Sequence, residues 1–242
     1  MSAFDLGPDR APADGARGLP SLAMTREAQE AWSALLERLA PRLVAPEGPD
    51  GDRFALALRA LASGRRAGAA FCPRPGWVDA ASFERLRAEA EASEKEPADR
   101  NGKSYGRVGP AALRLLVGKG LRAWAGEALG LRIGRYASAS YITYEYAGPS
   151  PAASRLHVDL PEYEINCLVG VSHRHPDRGP PSTLRLFEGG PEPRDIDLTP
   201  GAAVVFDACR TPHARTALGP GERLTLLTIG LRVEPTEPPR PP

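Results

Sequence analysis

The sequence has few of the features that would tie it to a disulfide framework, a nucleic acid or a membrane. Its three cysteines, Cys72, Cys167 and Cys209, are far apart and odd in number, which excludes a disulfide framework and a paired-cysteine metal site. The 31 basic and 30 acidic residues give a net charge of +1, so we expect no nucleic-acid partner. No run of 18 apolar residues is present, so we expect no membrane span.

The composition divides the 242 residues into four parts. Residues 1–20 are mostly Gly, Pro, Ala, Asp and Arg; they lack the apolar stretch of a secretory signal, and we expect them to be disordered. Residues 21–130 are predicted to be helical and to pack on a β-rich core at 131–234, and 235–242 form a Pro-rich tail. The absence of a signal and the few cysteines favour the cytoplasm.

Apolar residues at three- and four-residue spacing predict four helices in the first part. These helices cover residues 24–43, 54–62, 79–94 and 110–129. The polar segment 95–109 lies between the last two, and we interpret it as either a surface loop or a lid over a pocket.

After Gly130 the apolar pattern changes to a period of two residues, which is typical of strands. Strands are predicted at 136–146, 163–172, 183–187, 203–206 and 224–231. Short strands bounded by turn residues favour an antiparallel barrel or sandwich, and hence an α+β fold.

The chemistry is concentrated in the histidines, all four of which lie in the β-rich part. His157 and Asp159 are two residues apart, so both side chains project from one face of a strand. His213 follows 54 residues after Asp159. Two histidines and one carboxylate form the facial triad that binds non-haem Fe(II) and leaves coordination positions open.

An arginine and a threonine follow His213 in the sequence. Arg223 comes ten residues after His213, and Thr225 follows two residues later on the same predicted strand face. A guanidinium and a hydroxyl on one face are suited to hold a carboxylate.

The ordered set His157, Asp159, His213 and Arg223 resembles the Fe(II)/2-oxoglutarate-dependent dioxygenases, specifically their prolyl-hydroxylase-like branch. The segments 182–189 (STLRLFEG) and 200–206 (PGAAVVF) resemble further strands of that family, and the resemblance covers about residues 130–233.

The resemblance implies a double-stranded β-helix, a jelly-roll and cupin-like barrel with N-terminal supporting helices. It implies Fe(II), 2-oxoglutarate and O2 as cofactor and cosubstrates, with His157, Asp159 and His213 as metal ligands and catalytic residues. Arg223 would bind the far carboxylate of 2-oxoglutarate, shared with Tyr146 or, as second choice, Tyr144. His173 either takes the place of a cosubstrate-binding tyrosine or begins a loop with His175.

The implied reaction is hydroxylation of an unactivated C–H bond, with release of succinate and CO2. The substrate would be amino-acid-like, peptidyl or another small metabolite, and the presence of Asp159 argues against the halogenase variant. Several arginines are candidates for the substrate opening or are simply solvated: Arg100, Arg107, Arg155, Arg174 and Arg178.

Two other functions stay open on the residues alone. The first is a cupin-like metal enzyme that does not use 2-oxoglutarate, against which the spacing of Arg223 argues. The second is a non-catalytic β-barrel binding module, against which the complete triad argues. The sequence does not define an oligomeric state.

Overall fold

The computed structural model describes residues 19–93, 95–96, 102–146, 154–176 and 179–235. Most of the N-terminal segment, which is expected to be disordered, and most of the Pro-rich tail lie outside the described residues. So do residues 97–101 of the predicted loop or lid, together with Arg100 and Arg178. No helix within the described ranges is long and apolar enough to cross a bilayer.

Helices occupy the first half of the described chain and strands dominate the second. The helices are α1 Arg26–Leu39, α2 Gly48–Ser63, α3 Ala80–Ala92, α4 Pro110–Val117 and α5 Lys119–Leu129. The strands are β1 Ala70–Cys72, β2 Lys103–Gly106, β3 Ile133–Glu145, β4 Ile165–Arg174, β5 Leu184–Leu186, β6 Arg194–Ile196, β7 Ala203–Asp207, β8 His213–Arg215 and β9 Arg223–Val233.

Local sequence explains where the helices begin and end. The Thr25 side chain accepts a hydrogen bond from the Ala28 N–H at the start of α1, and Asp79 does the same for Ser82 at α3. The helix predicted over 110–129 is two helices, because Gly118 between them has an extended backbone with ψ 151°. Gly130 ends α5 at φ 65°, a conformation that glycine adopts without a steric penalty.

The strands form two antiparallel sheets. The major sheet has the order β1-β7-β4-β9-β3-β2, and the minor sheet has the order β6-β5-β8. The structure adds β1 and β2, which lie in the stretch predicted to be helical, and the short strands β6 and β8. In β2, Lys103 to Gly106 pair with Tyr144 to Tyr141, so this part of segment 95–109 is an edge strand and not a loop.

Each face of the major sheet has its own apolar layer. Helices α3, α4 and α5 cover one face, where buried residues of β4 and β9 such as Val169 and Leu227 pack against them. The opposite face packs on the minor sheet through residues such as Leu168 and Leu226. Helices α1 and α2 cover the outer side of the minor sheet, where they contact Ala214 of β8.

One carboxylate ties helix α3 to the start of α4 and to the major sheet. Glu89 accepts hydrogen bonds from the backbone N–H groups of Gly109 (3.0 Å), Ala111 (2.5 Å) and Ala112 (3.1 Å), and from the Tyr141 hydroxyl (2.7 Å). The first N–H groups of a helix have no partner within the helix, so Glu89 supplies one. Burial alone raises the pKa of Glu89, but these hydrogen bonds hold that pKa below its ordinary value of 4.5.

Replacing Glu89 by alanine is expected to lower the free energy of unfolding at neutral pH by about 2–3 kcal/mol, because several donors lose their acceptor. A lowered pKa means that this stabilisation is full above the ordinary carboxyl pKa and is lost as the pH falls through the lowered value. Urea unfolding at about pH 7 and about pH 3 measures both effects.

The matched control is Glu91→Ala, an exposed carboxylate on the same helix. An equal loss of stability in Glu91→Ala, or a Glu89→Ala deficit that stays the same at low pH, would contradict the prediction.

Candidate active site

The two histidines of the predicted triad face each other across a backbone bridge between the 154–160 segment and the minor sheet. The His157 N–H donates to the His213 carbonyl (3.1 Å) and the His213 N–H donates to the His157 carbonyl (2.9 Å). The Asp159 N–H donates to the carbonyl of Ala208 (2.9 Å), which positions the carboxylate beside them. One ligand atom from each of His157, Asp159 and His213 lies within 4.8 Å of the others.

Backbone carbonyls orient both imidazole rings. His157 Nδ1 lies 2.7 Å from the carbonyl oxygen of Arg155, and His213 Nδ1 lies 3.0 Å from that of Thr211. A carbonyl accepts only, so each Nδ1 carries the proton and each Nε2 keeps its lone pair. The two Nε2 atoms lie 3.5 and 3.6 Å from Asp159 Oδ1. This arrangement presents two neutral nitrogens and one carboxylate oxygen to a common point.

The second oxygen of Asp159 is held by neighbouring side chains. Asn166 Nδ2 and the Tyr163 hydroxyl donate to Oδ2 at 2.9 and 3.1 Å, which leaves Oδ1 directed toward the histidines. Burial alone would raise the pKa of Asp159, but the adjacent imidazoles of His213 and His157 hold it well below its ordinary value. Burial and the Asp159 charge raise the pKa of Tyr163, so its hydroxyl stays a donor.

The triad opens into a cavity of about 300 Å³ between the two sheets. Most of its lining residues are polar, such as Tyr144, Tyr163 and Asn166, and Leu168, Leu184 and Leu226 add apolar surface. A cleft in which polar groups converge beside apolar surface is a usual form of a small-molecule site.

Arg215 reaches this cavity although the sequence analysis did not select it. The residue is 1% exposed, and its Nη1 donates to the Ser182 carbonyl (3.1 Å) while its buried Nη2 has no hydrogen-bond partner among the described residues. Its guanidinium carbon lies 5.6 Å from the centroid of the Tyr144 ring. Burial lowers the pKa of Arg215, but an arginine stays charged in proteins. A buried cation with an unused donor is suited to an anionic ligand.

The signal for Arg215 was available in the sequence. Arg215 follows His213 by two residues on β8, so strand alternation places both side chains on the same face. The same rule paired His157 with Asp159 in the sequence analysis.

The structure does not bring Arg223 and Thr225 to the cavity, and their expected position is corrected here. Both lie on the face of β9 that is turned away from the minor sheet, where they line a separate depression. Arg223 Nε pairs with Glu145 Oε1 at 2.9 Å, and Thr225 Oγ1 lies 3.0 Å from Thr143 Oγ1. Alternation explains the error: Leu224, Leu226 and Thr228 face the minor sheet, so the odd-numbered residues face the opposite side.

Of the two candidate tyrosines, one lines the cavity and the other does not. Tyr144 is 7% exposed and lines the cavity. Tyr146 follows the last residue of β3, is 38% exposed and is not among the lining residues. The second choice of the sequence analysis is therefore the tyrosine near the site.

The remaining candidates lie elsewhere. His173 continues strand β4 and does not begin a loop; its Nε2 lies 2.8 Å from Oε1 of the buried Glu222. The His175 ring lies 6.0 Å from that of His173 and neither histidine lines the cavity.

Arg155 pairs with Glu37 (3.0 Å) beside the cavity opening, and Arg174 lines the separate depression. Arg107 lies on the exposed surface.

Two facing antiparallel sheets with a His-Asp-His set between them define a double-stranded β-helix metal site. No family model and no curated protein matches the chain. Several solved structures, in contrast, match its fold. A prolyl-4-hydroxylase of Pseudomonas putida aligns with a TM-score of 0.53 at 20% identity, over 72% of this chain and 98% of its own.

Two further solved structures have the same fold. An oxidoreductase of the 2OG-Fe(II) oxygenase family from Burkholderia pseudomallei aligns with a TM-score of 0.56 at 17% identity, over 72% of this chain and 89% of its own. HygX from Streptomyces hygroscopicus, solved with nickel and 2-oxoglutarate bound, aligns with a TM-score of 0.50 at 14% identity, over 68% and 83% of the two chains. The predicted fold class is confirmed, and the resemblance to prolyl-hydroxylase-like oxygenases is confirmed at the level of the fold.

Removal of a triad ligand is expected to abolish tight binding of a divalent ion. His157→Ala and Asp159→Ala should weaken Mn(II) binding by more than the roughly 10–100-fold that outer partners of a metal site contribute. Isothermal titration calorimetry of each variant measures this loss. The matched control is His175→Ala, which removes a histidine that does not line the cavity. Equal affinities for all of the variants would contradict the assignment of the metal site.

Asn166→Ala is expected to weaken Mn(II) binding by about 10–100-fold, because Asp159 loses a donor that orients its carboxylate. Thr228→Val serves as a control, since the Thr228 hydroxyl donates to Asn166 and does not contact Asp159. The same calorimetric titration reads both variants. A larger loss in Thr228→Val than in Asn166→Ala would show that Asn166 does not act through the carboxylate.

Proposed function

We propose that the protein is a non-haem Fe(II)- and 2-oxoglutarate-dependent oxygenase that hydroxylates an unactivated C–H bond of an amino-acid-like, peptidyl or other small-metabolite substrate. The observation that carries the proposal is that the His-Asp-His set and the buried Arg215 line one cavity. A metal-ligand set alone fits many metal enzymes, whereas a cation fixed in the same cavity adds a site for a carboxylate.

The donor set suits Fe(II). His157 and His213 would supply neutral nitrogens and Asp159 a hard oxygen, which is the 2-His-1-carboxylate set of non-haem iron sites. When bound, the iron supplies the redox chemistry that joins dioxygen activation to oxidative decarboxylation of 2-oxoglutarate. The hydrogen bonds to the outer atoms of the ligands keep the three donors directed to one point before any ion arrives.

Arg215 would bind the far carboxylate of 2-oxoglutarate. Its unused Nη2 is a fixed donor in a buried position, and the nearby Tyr144 ring restricts where the guanidinium lies. A carboxylate there would supply the missing acceptor. The HygX structure, which holds nickel and 2-oxoglutarate on a similar fold, supports the choice of cosubstrate.

The cavity would position the bound groups and balance their charges. Leu184 of the minor sheet and Leu168 and Leu226 of the major sheet add apolar surface to a lining that is mostly polar. Because Arg215 itself is buried, solvent screens its interaction with a bound carboxylate only weakly. The protein would therefore contribute positioning and charge balance.

Arg215→Met is expected to weaken 2-oxoglutarate binding by roughly 30-fold or more, because the carboxylate loses a buried charged partner. Methionine keeps much of the side-chain volume, and removal of an unpaired buried cation is not expected to unfold the protein. The measurement is anaerobic titration of the Fe(II)-loaded protein with 2-oxoglutarate, followed by the weak visible charge-transfer band.

Arg223→Met is the matched control, and its affinity for 2-oxoglutarate should stay within about 3-fold of wild type. A loss in Arg223→Met with normal binding in Arg215→Met would return the carboxylate site to the first choice of the sequence analysis. An iron-loaded wild type without a band would favour a cupin-like metal enzyme. Absence of iron binding would favour a binding module.

A further inference from the structure

One buried carboxylate near Arg215 belongs neither to the metal site nor to the cavity lining. Glu222 lies in the turn just before β9, and its side chain is 0% exposed. It is not one of the triad residues and does not line the cavity. A carboxylate taken out of water is costly unless hydrogen bonds replace its lost contacts with water. Its hydrogen-bond partners therefore indicate what this buried charge stabilises.

Three donors from different parts of the chain satisfy the Glu222 carboxylate. Its Oε2 accepts from the Gly219 N–H in the same turn, at 2.7 Å. Its Oε1 accepts from the Ser182 N–H at 2.8 Å and lies 2.8 Å from Nε2 of His173, on β4. Burial alone raises the pKa of Glu222, but these hydrogen bonds hold that pKa below its ordinary value. The group is therefore ionised at neutral pH, and because a carboxylate only accepts, Nε2 of His173 carries a proton.

The backbone of Ser182 connects Glu222 with Arg215. The residue whose N–H reaches Glu222 also presents its carbonyl to Nη1 of Arg215, at 3.1 Å. Ser182 is 1% exposed, and its hydroxyl donates to the carbonyl of Thr216 at 2.7 Å. The guanidinium group is planar and rigid, so a partner that fixes Nη1 also sets the direction of the unused Nη2. The position of Ser182 thus controls where Arg215 offers its free donor.

The charge of Glu222 acts on Arg215 as well. Burial lowers the pKa of Arg215, and Tyr144, Glu222 and Asp197 act in the opposite direction. The Asp197 side chain is 45% exposed, so solvent screens its charge more than that of the buried Glu222. A negative charge near Arg215 weakens the attraction of a second anion. The charge of Glu222 and its hydrogen bond to Ser182 therefore have opposite effects on a carboxylate bound at Arg215.

We propose that Glu222 is a positioning residue for the cosubstrate: through the backbone of Ser182 it holds Arg215 in the orientation that binds the far carboxylate of 2-oxoglutarate. The inference rests on the proposed function, because it requires that Arg215 binds this carboxylate. His173 holds Glu222 from the side of β4. This histidine, which the sequence analysis considered as a cosubstrate-binding residue, thus acts on the cosubstrate indirectly.

The variant Glu222→Asp separates the two effects, because it keeps the charge and withdraws the acceptor from Ser182 by one methylene group. We expect it to weaken 2-oxoglutarate binding to the Mn(II)-loaded protein by about 5–10-fold, measured by isothermal titration calorimetry. In the Arg215→Met background the same substitution should change the affinity by less than about 2-fold. A residue that acts through Arg215 has nothing left to orient once Arg215 is removed.

A second pair of variants tests the same connection from the side of β4. His173→Leu removes a donor to Glu222 and should weaken 2-oxoglutarate binding in the wild-type background only. His173→Gln, whose side-chain amide can donate in place of Nε2, should restore the affinity.

The matched control is Glu89→Asp, which shortens another carboxylate that accepts from backbone N–H groups, on the helix-covered face of the major sheet. Its affinity for 2-oxoglutarate should stay within about 2-fold of wild type. Melting temperatures and Mn(II) binding show that each variant is folded.

The outcomes distinguish this inference from the proposed function. Failure of wild type to bind 2-oxoglutarate, or normal binding in Arg215→Met, overturns the proposed carboxylate site and this inference with it. A loss in Arg215→Met with normal binding in Glu222→Asp overturns this inference alone. An equal loss from Glu222→Asp in both backgrounds also overturns it, because Glu222 then does not act through Arg215. If Glu222→Asp does not fold, His173→Leu provides the same two comparisons.

Discussion

The two backbone hydrogen bonds between His157 and His213 are the contact on which the site depends. They join the 154–160 segment to the minor sheet and place two imidazoles from distant parts of the chain side by side. Each ring is then turned by a carbonyl of its own segment, so its orientation follows from local backbone. Asp159 needs no separate strand, because it lies two residues beyond His157 and is held by Asn166 of the major sheet and by Tyr163, two residues before β4.

The cavity between the sheets has a more positive set of lining residues than the net charge of the whole chain suggests. The whole chain is close to neutral, at +1, yet Lys103 and Arg215 lie in one cavity with a single described carboxylate. Both cations lie within 6 Å of the Tyr144 ring, at 5.8 and 5.6 Å from its centroid. Both cations thus contact the same aromatic ring, which helps to fix their positions in the cavity.

The alternation of side chains along a strand holds for the predicted residues, but the strand that carries His213 was not among the predicted strands. It correctly predicted that Arg223 and Thr225 share a face, but a period of two does not say which face is turned to the metal. That choice is set by the layers: α3, α4 and α5 cover one side of β9 and the minor sheet covers the other. Strand β8 is only three residues long, so the sequence pattern did not predict it, and its partner for His213, Arg215, was missed.

The sequence by itself determined the α+β class, the approximate positions of three helices and five strands, and the three triad residues. Each of these follows from local information: apolar spacing, turn residues, and a His-x-Asp pair with a distant histidine. Tertiary structure alone decided that Arg223 lies outside the cavity and where Tyr144 and Tyr146 lie. Such choices depend on which faces of two sheets meet, and this is set by packing between residues far apart in the chain.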